Sequence, residues 1–546
     1  MATRGTFKAG KWTVWAAVVT VSLVWNGCRG DESGDHTLFT YNASDGIRSL
    51  DPGKATDLES QWVVDQLYEG LLELDASLNI QPALAESWSV SEDGLTYAFR
   101  LRRNAVFHSG SPVTAQDVEA SFQRLMDPAE ALPGRWVLAD LDPLNGIEVL
   151  GSDSLHLNLV NPQPVFPGLL ATPHAAVMEH GGRRGDPDGG EGGSGPFVLK
   201  GWLPETAMVL HRFDRYWMRD AEGKSLPYLD GIRIEFNREA GAEFLGFRQG
   251  RYDFVSALDP TLAAALRGQD GHWKPEWEGR FVEHRVPYLK TDYIGFLVDS
   301  AACSSAGFTA PDAGVRRALS MALDRSALVR ELRAGEAAPA TGFVPPGMPG
   351  FGPEERPGNA ALDWMPDSAR SLLAARGIGP EPPLSRLEGI TLGTKPGMAD
   401  LAAALQFAWS AYGVDVDIDI APSAIDAERV ARSQVPMFRK SWLADYPDAE
   451  NFLSLFHVDR WCPNGPNYTH YGNGKVTSLL DEAARTNRGP ARDAILREVE
   501  STVLEDMPVI PLWHDEVVHL VASGWTGWQV SPTNRLDLRK VRATEE

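Results

Sequence analysis

Phe107-His108-Ser109-Gly110-Ser111-Pro112-Val113-Thr114-Ala115-Gln116-Asp117-Val118 reads as a turn that runs straight into the start of a helix. The turn spans 104–110, and Pro112-Val113-Thr114 leads out of it. Thr114 and Asp117 stand three apart, the spacing of a capping box, in which a hydroxyl and an acidic side chain each satisfy a backbone N–H that the first helical turn leaves open. Val118, Phe122 and Leu125 then recur at helical spacing and give the helix one buried face. Just upstream, Thr96–Leu101 alternates as a strand, so the centre of this region is a strand–turn–helix unit.

The same mixture extends in both directions. Leu38–Asn42 reads as a strand, Ser49-Leu50-Asp51-Pro52 as a turn, and 57–72 as a helix with Val64, Leu67, Tyr68 and Leu71 on one side. Further on, 312–333 is expected to be one amphipathic helix with Val315, Ala318, Leu319, Ala322 and Leu323 inward. A helix over 401–412 ends before Gly413. Val414, Val416, Ile418 and Ile420 then alternate with Asp415, Asp417 and Asp419 as a strand. Gly, Asp and Arg crowd 181–196 and Pro and Gly crowd 342–358, which marks both as loops. Helix and strand signals alternate throughout, so the class is α/β.

At 546 residues the chain can bury two or three cores. Lys and Arg total 51 against 74 Asp and Glu, a net charge of −23. A nucleic-acid partner needs a basic face to displace counterions from phosphates, and this balance argues against one. Seventeen Trp is a high count, open to recognition surfaces as well as core.

Arg4, Lys8 and Lys11 precede an uncharged stretch from Trp12 to Gly27, and Cys28 follows. This is a basic start and an apolar region too short for a comfortable membrane span. It resembles a bacterial lipoprotein signal over 1–28, which implies lipidation at Cys28, with 29–36 as a tether. Trp25 and Asn26 depart from the usual pattern, and the other reading is an ordinary signal peptide cut nearby. No later segment reaches membrane-spanning length. Cys303 and Cys462 remain, and an exported chain admits either one disulfide between them or two independent buried thiols.

Several chemical-looking patterns do not hold. Gly190-Glu191-Gly192-Gly193-Ser194-Gly195 matches a dinucleotide fingerprint, but Pro196 and a strand-like Phe197-Val198-Leu199 follow where a helix is required. Asp415, Asp417 and Asp419 resemble a calcium loop, yet Ile420 occupies the position that needs Gly. His514 and His519 stand five apart, not the four that put two ligands on one helical face. Cys303-Ser304-Ser305 reads as a polar loop with no adjacent base. No cofactor, metal or catalytic set is expected, and the chain is read as a binder rather than an enzyme.

Taken in order, several blocks resemble family-5 solute-binding proteins, the dipeptide- and oligopeptide-binding proteins of ATP-binding-cassette importers. They are Ser49-Leu50-Asp51-Pro52, Gln66-Leu67-Tyr68-Glu69-Gly70-Leu71, Pro82-Ala83-Leu84-Ala85-Glu86-Ser87-Trp88, Asp93-Gly94-Leu95-Thr96-Tyr97 and the Phe107–Val118 stretch. The likeness continues through Gly195-Pro196-Phe197, Tyr216-Trp217, Val315-Arg316-Arg317-Ala318-Leu319, Trp442-Leu443-Ala444-Asp445-Tyr446-Pro447-Asp448 and Glu505-Asp506-Met507-Pro508. The resemblance implies a two-lobed periplasmic-binding-protein fold (type II, cluster C) with an extra subdomain inserted in lobe I. Lobe I would comprise 37–80, 192–282 and 513–546, the insert 81–191, and lobe II 283–512. A ligand would bind between the lobes and be buried by hinge closure. The implied partners are a short peptide and the permease subunits of the importer, with the binding protein a monomer.

By the same resemblance, Asp445 would take the α-ammonium of the ligand, and Trp442, Leu443 and Tyr446 would flank the peptide backbone. Arg439, six residues before Asp445, would face the ligand's carboxylate end, and Glu59 would lie near its amine. A buried ammonium requires an anionic acceptor, and a guanidinium fork suits a carboxylate. Trp442 is either a cleft wall or lobe core. Peptide-binding relatives often carry an aromatic near 421–425; this chain has Ala421-Pro422-Ser423-Ala424-Ile425. Relatives also carry oligosaccharides, opines, nickel complexes or haem, so a non-peptide solute is the alternative.

Overall fold

Two long strands organise the molecule: Phe281–Phe296, 16 residues, and Val509–Ala522, 14 residues. They pair antiparallel, with register shifts between Pro287 and Thr291 and between Asp292 and Tyr293. A proline has no N–H to give a ladder, so the first break starts where the chain cannot donate. The computed structural model describes residues 38–182, 190–239, 241–256, 258, 260–268, 272–352 and 360–544. The signal read at 1–28, with Cys28, and the tether at 29–36 lie outside the described residues.

From the Ala522 end of this pair the sheet continues through Phe254–Ser256, Leu38–Asn42, Gly231–Glu235, Ala207–Arg212 and Phe197–Leu203. From the Phe296 end it continues through Met437–Leu443 and Leu387–Thr394 to the edge strand Val414–Ile420. A separate antiparallel sheet runs in the order Ala85–Val90, Thr96–Leu101, Ser154–Asn158, Ile147–Val149. The helix Ala115–Met126 packs on it, its Val118, Phe122 and Leu125 sharing an apolar cluster with Tyr97, Phe99 and Leu155. The capping box forms, with the Asp117 carboxylate accepting from the Thr114 amide at 3.0 Å.

The apolar residues separate accordingly. One cluster holds residues between Leu71 and Val177. A second joins Phe39, Tyr41, Trp62 and Phe197 to Leu536, Leu538 and Val541 near the C-terminus. On the other half, Ile294, Leu319, Leu405 and Trp409 belong to one cluster, and Tyr293, Phe343, Phe452 and Val499 to another.

Some local expectations change. The helix expected over 57–72 runs only Leu58–Leu67. Beyond it Glu69 bridges to Val177 and Leu72–Leu74 pairs with Ile80–Pro82, so the later apolar residues are buried by other partners. The helix expected over 312–333 is two, Ala313–Met321 and Arg325–Arg333. Asp324 caps the second by accepting from the Ala327 amide at 2.9 Å. Cys303-Ser304-Ser305 lies in the helix Ser300–Ala306 rather than a loop.

The disulfide admitted for Cys303 and Cys462 does not form; both are free and buried. Each thiol has its own local partners: Cys303 is bonded to the Leu297 carbonyl at 3.2 Å, and the Cys462 sulfur lies 3.1 Å from His470 Nε2. The acidic strand is an edge strand, as its alternation implies, with Asp415 and Asp419 paired to Arg386 and Arg429. Gly193 of the rejected fingerprint packs where a Cβ would collide with the Leu67 carbonyl.

Candidate ligand-binding site

The strand Met437–Leu443 is paired unequally. On one side all seven of its residues match Lys290–Phe296. On the other side Leu387–Thr394 reaches only Met437 and Phe438. From Arg439 to Leu443, therefore, one edge is taken by no strand among the described residues. The Ala444 amide still bonds the Leu289 carbonyl at 2.9 Å, so the chain stays on the sheet until it turns at Asp445.

That turn is held from behind by Asn451, which is buried. Its side-chain oxygen accepts from the Trp442 indole at 2.8 Å and from the Asp445 amide at 3.4 Å, and its amide donates to the Asp445 carboxylate at 3.3 Å. Three residues past Asp445, the buried Asp448 carboxylate receives the Arg492 guanidinium through two contacts of 2.8 Å. Arg488 adds a bond to the Pro447 carbonyl at 3.2 Å. The front of the turn stays open, and Asp445 keeps part of its surface in solvent. Burial by its surroundings nonetheless raises the Asp445 carboxyl above the usual range, opposed by the Asn451 bond and the charge of His174.

His174 belongs to a distant stretch of chain, as does Trp136, which sits in the short helix Pro133–Leu138. The Trp136 ring lies edge-on to His174 at 6.3 Å and tilted against Tyr446 at 6.4 Å, centroid to centroid. His174 Nδ1 is 2.8 Å from the Pro52 carbonyl, which can only accept, so that nitrogen carries the proton. Gly134 is required here, because a Cβ would fall 2.8 Å from the His174 ring. Burial lowers the His174 pKa, opposed by the Pro52 bond and by Asp445 and Asp65. The Tyr446 hydroxyl bonds Glu450, and burial holds its pKa well above the ordinary tyrosine value.

The structure thus brings together Trp442, Asp445 and Tyr446, with Leu443 nearly half exposed beside them. Trp442 packs against the cluster that holds Phe452 and Val499 while its indole N–H serves Asn451. Arg439 does not stand open: its guanidinium contacts Asp292, which also pairs with Lys290 at 3.2 Å. A ligand carboxylate would have to displace Asp292. Glu59 belongs with other groups, in the first turn of Leu58–Leu67, accepting from the Asp45 amide at 3.0 Å. Burial and then the Asp45 charge raise it to about 7, and burial followed by Glu59's charge raises Glu243 to about 8. Asn451, Trp136 and His174 carry no motif, and only the proximity made by folding marks them. Ile425, on the helix Ser423–Ala431, is half exposed. Among the described residues no group of three or more His, Cys, Asp or Glu side chains could hold a metal ion, and no helix is long and apolar enough to cross a membrane.

The two-lobed α/β frame is that of the periplasmic-binding-protein class. The chain belongs to family 5 of the bacterial extracellular solute-binding proteins, the middle region of whose model matches residues 79–461, and these serve ATP-binding-cassette importers. Among curated proteins it is similar to the oligopeptide-binding protein OppA of Bacillus subtilis (strain 168), 25% identical over 544 residues covering 92% of this chain and 94% of that one. It is also 25% identical, covering 89% of each, to the probable deoxycholate-binding periplasmic protein YgiS of Escherichia coli (strain K12). Among solved structures it superimposes on the unliganded open form of the periplasmic murein tripeptide binding protein MppA with a TM-score of 0.79. There the identity is 24%, over 94% of this chain and 98% of that one.

Proposed function

We propose that this chain is an extracytoplasmic, lipid-anchored receptor that captures short peptides between its lobes and hands them to the permease of an importer. The observation that carries the reading is the strand edge at 439–443, unpaired by any described strand and ending at the Asp445 carboxylate. An extended peptide can add to such an edge through its main chain, which reads any backbone and ignores side chains. Asp445 then supplies the anion that a desolvated α-ammonium must find. The name of the similar oligopeptide-binding protein points the same way. The proposed partition is 37–80 with 192–282 and 513–546, an insert at 81–191 and a second lobe at 283–512; most of the first apolar cluster falls within the insert, while Leu78 packs with the second lobe and Ala176 and Met178 with the first. Closure is by hinge motion of the lobes, and the receptor acts as a monomer without catalysis.

Titration calorimetry with a di- and tripeptide library tests this. Asp445→Ala is expected to weaken peptide binding by at least about 30-fold, since the partner charge is left buried and unpaired. Binding as tight as wild type would remove the amine anchor. A second reading, a non-peptide solute, is favoured by the similar protein named for deoxycholate binding and by the aliphatic Ile425. A peptide library without hits, together with thermal stabilisation by a bile acid or sugar, would establish it instead.

A further inference from the structure

We infer that Trp136 is the wall against which the side chain next to the ligand's amine packs, so that the site selects amines bearing a large apolar or aromatic group on the adjacent carbon. The inference rests on the peptide reading of Asp445 and extends it to side-chain preference.

Four residues form a chain of neighbours. Asp445 is followed directly by Tyr446, Tyr446 is tilted against Trp136 at 6.4 Å, and Trp136 stands edge-on to His174 at 6.3 Å. Two of these residues offer little surface to a ligand: Tyr446 is half-buried with its hydroxyl bonded to Glu450, and His174 is buried and bonded to Pro52. Trp136 alone combines a large apolar surface with 37% exposure. Its neighbours Val137 and Leu138 are buried in the core, and the Gly134 amide is bonded to the Gly53 carbonyl at 3.0 Å, so the indole is projected outward from an anchored turn.

A scattered exposed hydrophobe needs no explanation. This one lies against Tyr446, the residue next to Asp445, whose carboxylate has no cationic side chain bonded to it among the described residues. An acidic group beside an aromatic face matches an ammonium with an apolar substituent one bond away. The wall comes from the insert rather than from 421–425, where only the aliphatic Ile425 stands.

The test measures Gly-Gly-Gly, Leu-Gly-Gly and Phe-Gly-Gly by calorimetry on wild type, Trp136→Ala, Trp136→Phe and Asp445→Asn. Wild type is expected to prefer the Leu- and Phe-first peptides over Gly-Gly-Gly by about tenfold or more, the scale set by burying a large apolar side chain. Trp136→Ala should collapse that ratio toward one, and Trp136→Phe should retain most of it. Thermal unfolding confirms that each variant is folded, and the ratio itself is insensitive to a general loss of active protein. A wild-type ratio near one, or an unchanged ratio in Trp136→Ala, overturns the wall while leaving the amine anchor standing. Unweakened binding to Asp445→Asn, or no peptide bound by wild type, overturns the peptide reading and the wall with it.

Discussion

Asn451 donates its side-chain amide to the Asp445 carboxylate at 3.3 Å while the same side chain's oxygen accepts from Trp442. One buried amide therefore fixes both the aromatic one residue before the strand's end and the acid two residues past it. Asn451→Leu, close in size and without polar atoms, should weaken peptide binding about tenfold, the scale of one or two lost hydrogen bonds. Calorimetry reads the loss, and affinity retained within twofold would show that Asp445 needs no such support.

Behind the same turn, the Arg492–Asp448 pair is buried on both sides, 2% and 5% exposed. Removing Arg492 leaves the buried Asp448 with only the longer cationic contact to Arg488 at 3.8 Å. Arg492→Met is expected to destabilise the protein by about 3–5 kcal/mol, and Asp448→Asn added to it should restore part of that. Urea denaturation of the single and double variants makes the comparison.

Acidification should release an amine ligand earlier than an ordinary aspartate would. Burial raises the Asp445 carboxyl, so its charge is present above the raised pKa and is lost as pH falls through it. Peptide affinity measured from pH 8 down to pH 4 should fall on the acid side, and Asp445→Asn should show a flat profile.

Folding stability carries a slope of the opposite sign. Glu59 and Glu69 are raised to about 7 and Glu243 to about 8, all by burial first. Between the ordinary glutamate value and these, the folded state holds more protons than the unfolded, so stability falls as pH rises through that window. Glu243→Gln should raise the melting temperature at pH 8 by about 1–2 °C and leave it unchanged at pH 4. Equal shifts at both pH values would contradict the assignment.

Both cysteines of the folded body should remain reducible-agent indifferent. Protein beginning after Cys28 should titrate two thiols in denaturant without reductant, and its melting temperature should not change on adding reductant. In the full chain expressed in a bacterial host, Cys28→Ala should shift the protein from the membrane to the soluble fraction, as the proposed anchor requires.

Where local chemistry decides structure, the sequence was readable. The Thr114–Asp117 box and the alternation of Val414–Ile420 depend on neighbours a few residues away, and both stand as expected. The helix expected over 57–72 stops at Leu67, because Tyr68 and Leu71 continue its apolar rhythm while being buried by other parts of the chain. Asp324 offered a helix start that the running periodicity of 312–333 concealed. In the candidate site, Trp442 and Asp445 lie within one short segment, so a motif can point to both at once. Trp136 and His174 reach them from some three hundred residues away, and Asn451 has no signature beyond being an amide, so only the folded arrangement reveals them.

The paired rails Phe281–Phe296 and Val509–Ala522 have a mechanical consequence. They are laddered together on both sides of the gap between Pro287 and Thr291, so neither half of the sheet can slide along the other without breaking bonds at both ends. A bend confined to that gap would leave both ladders intact and sweep the far ends of the rails through the widest arc.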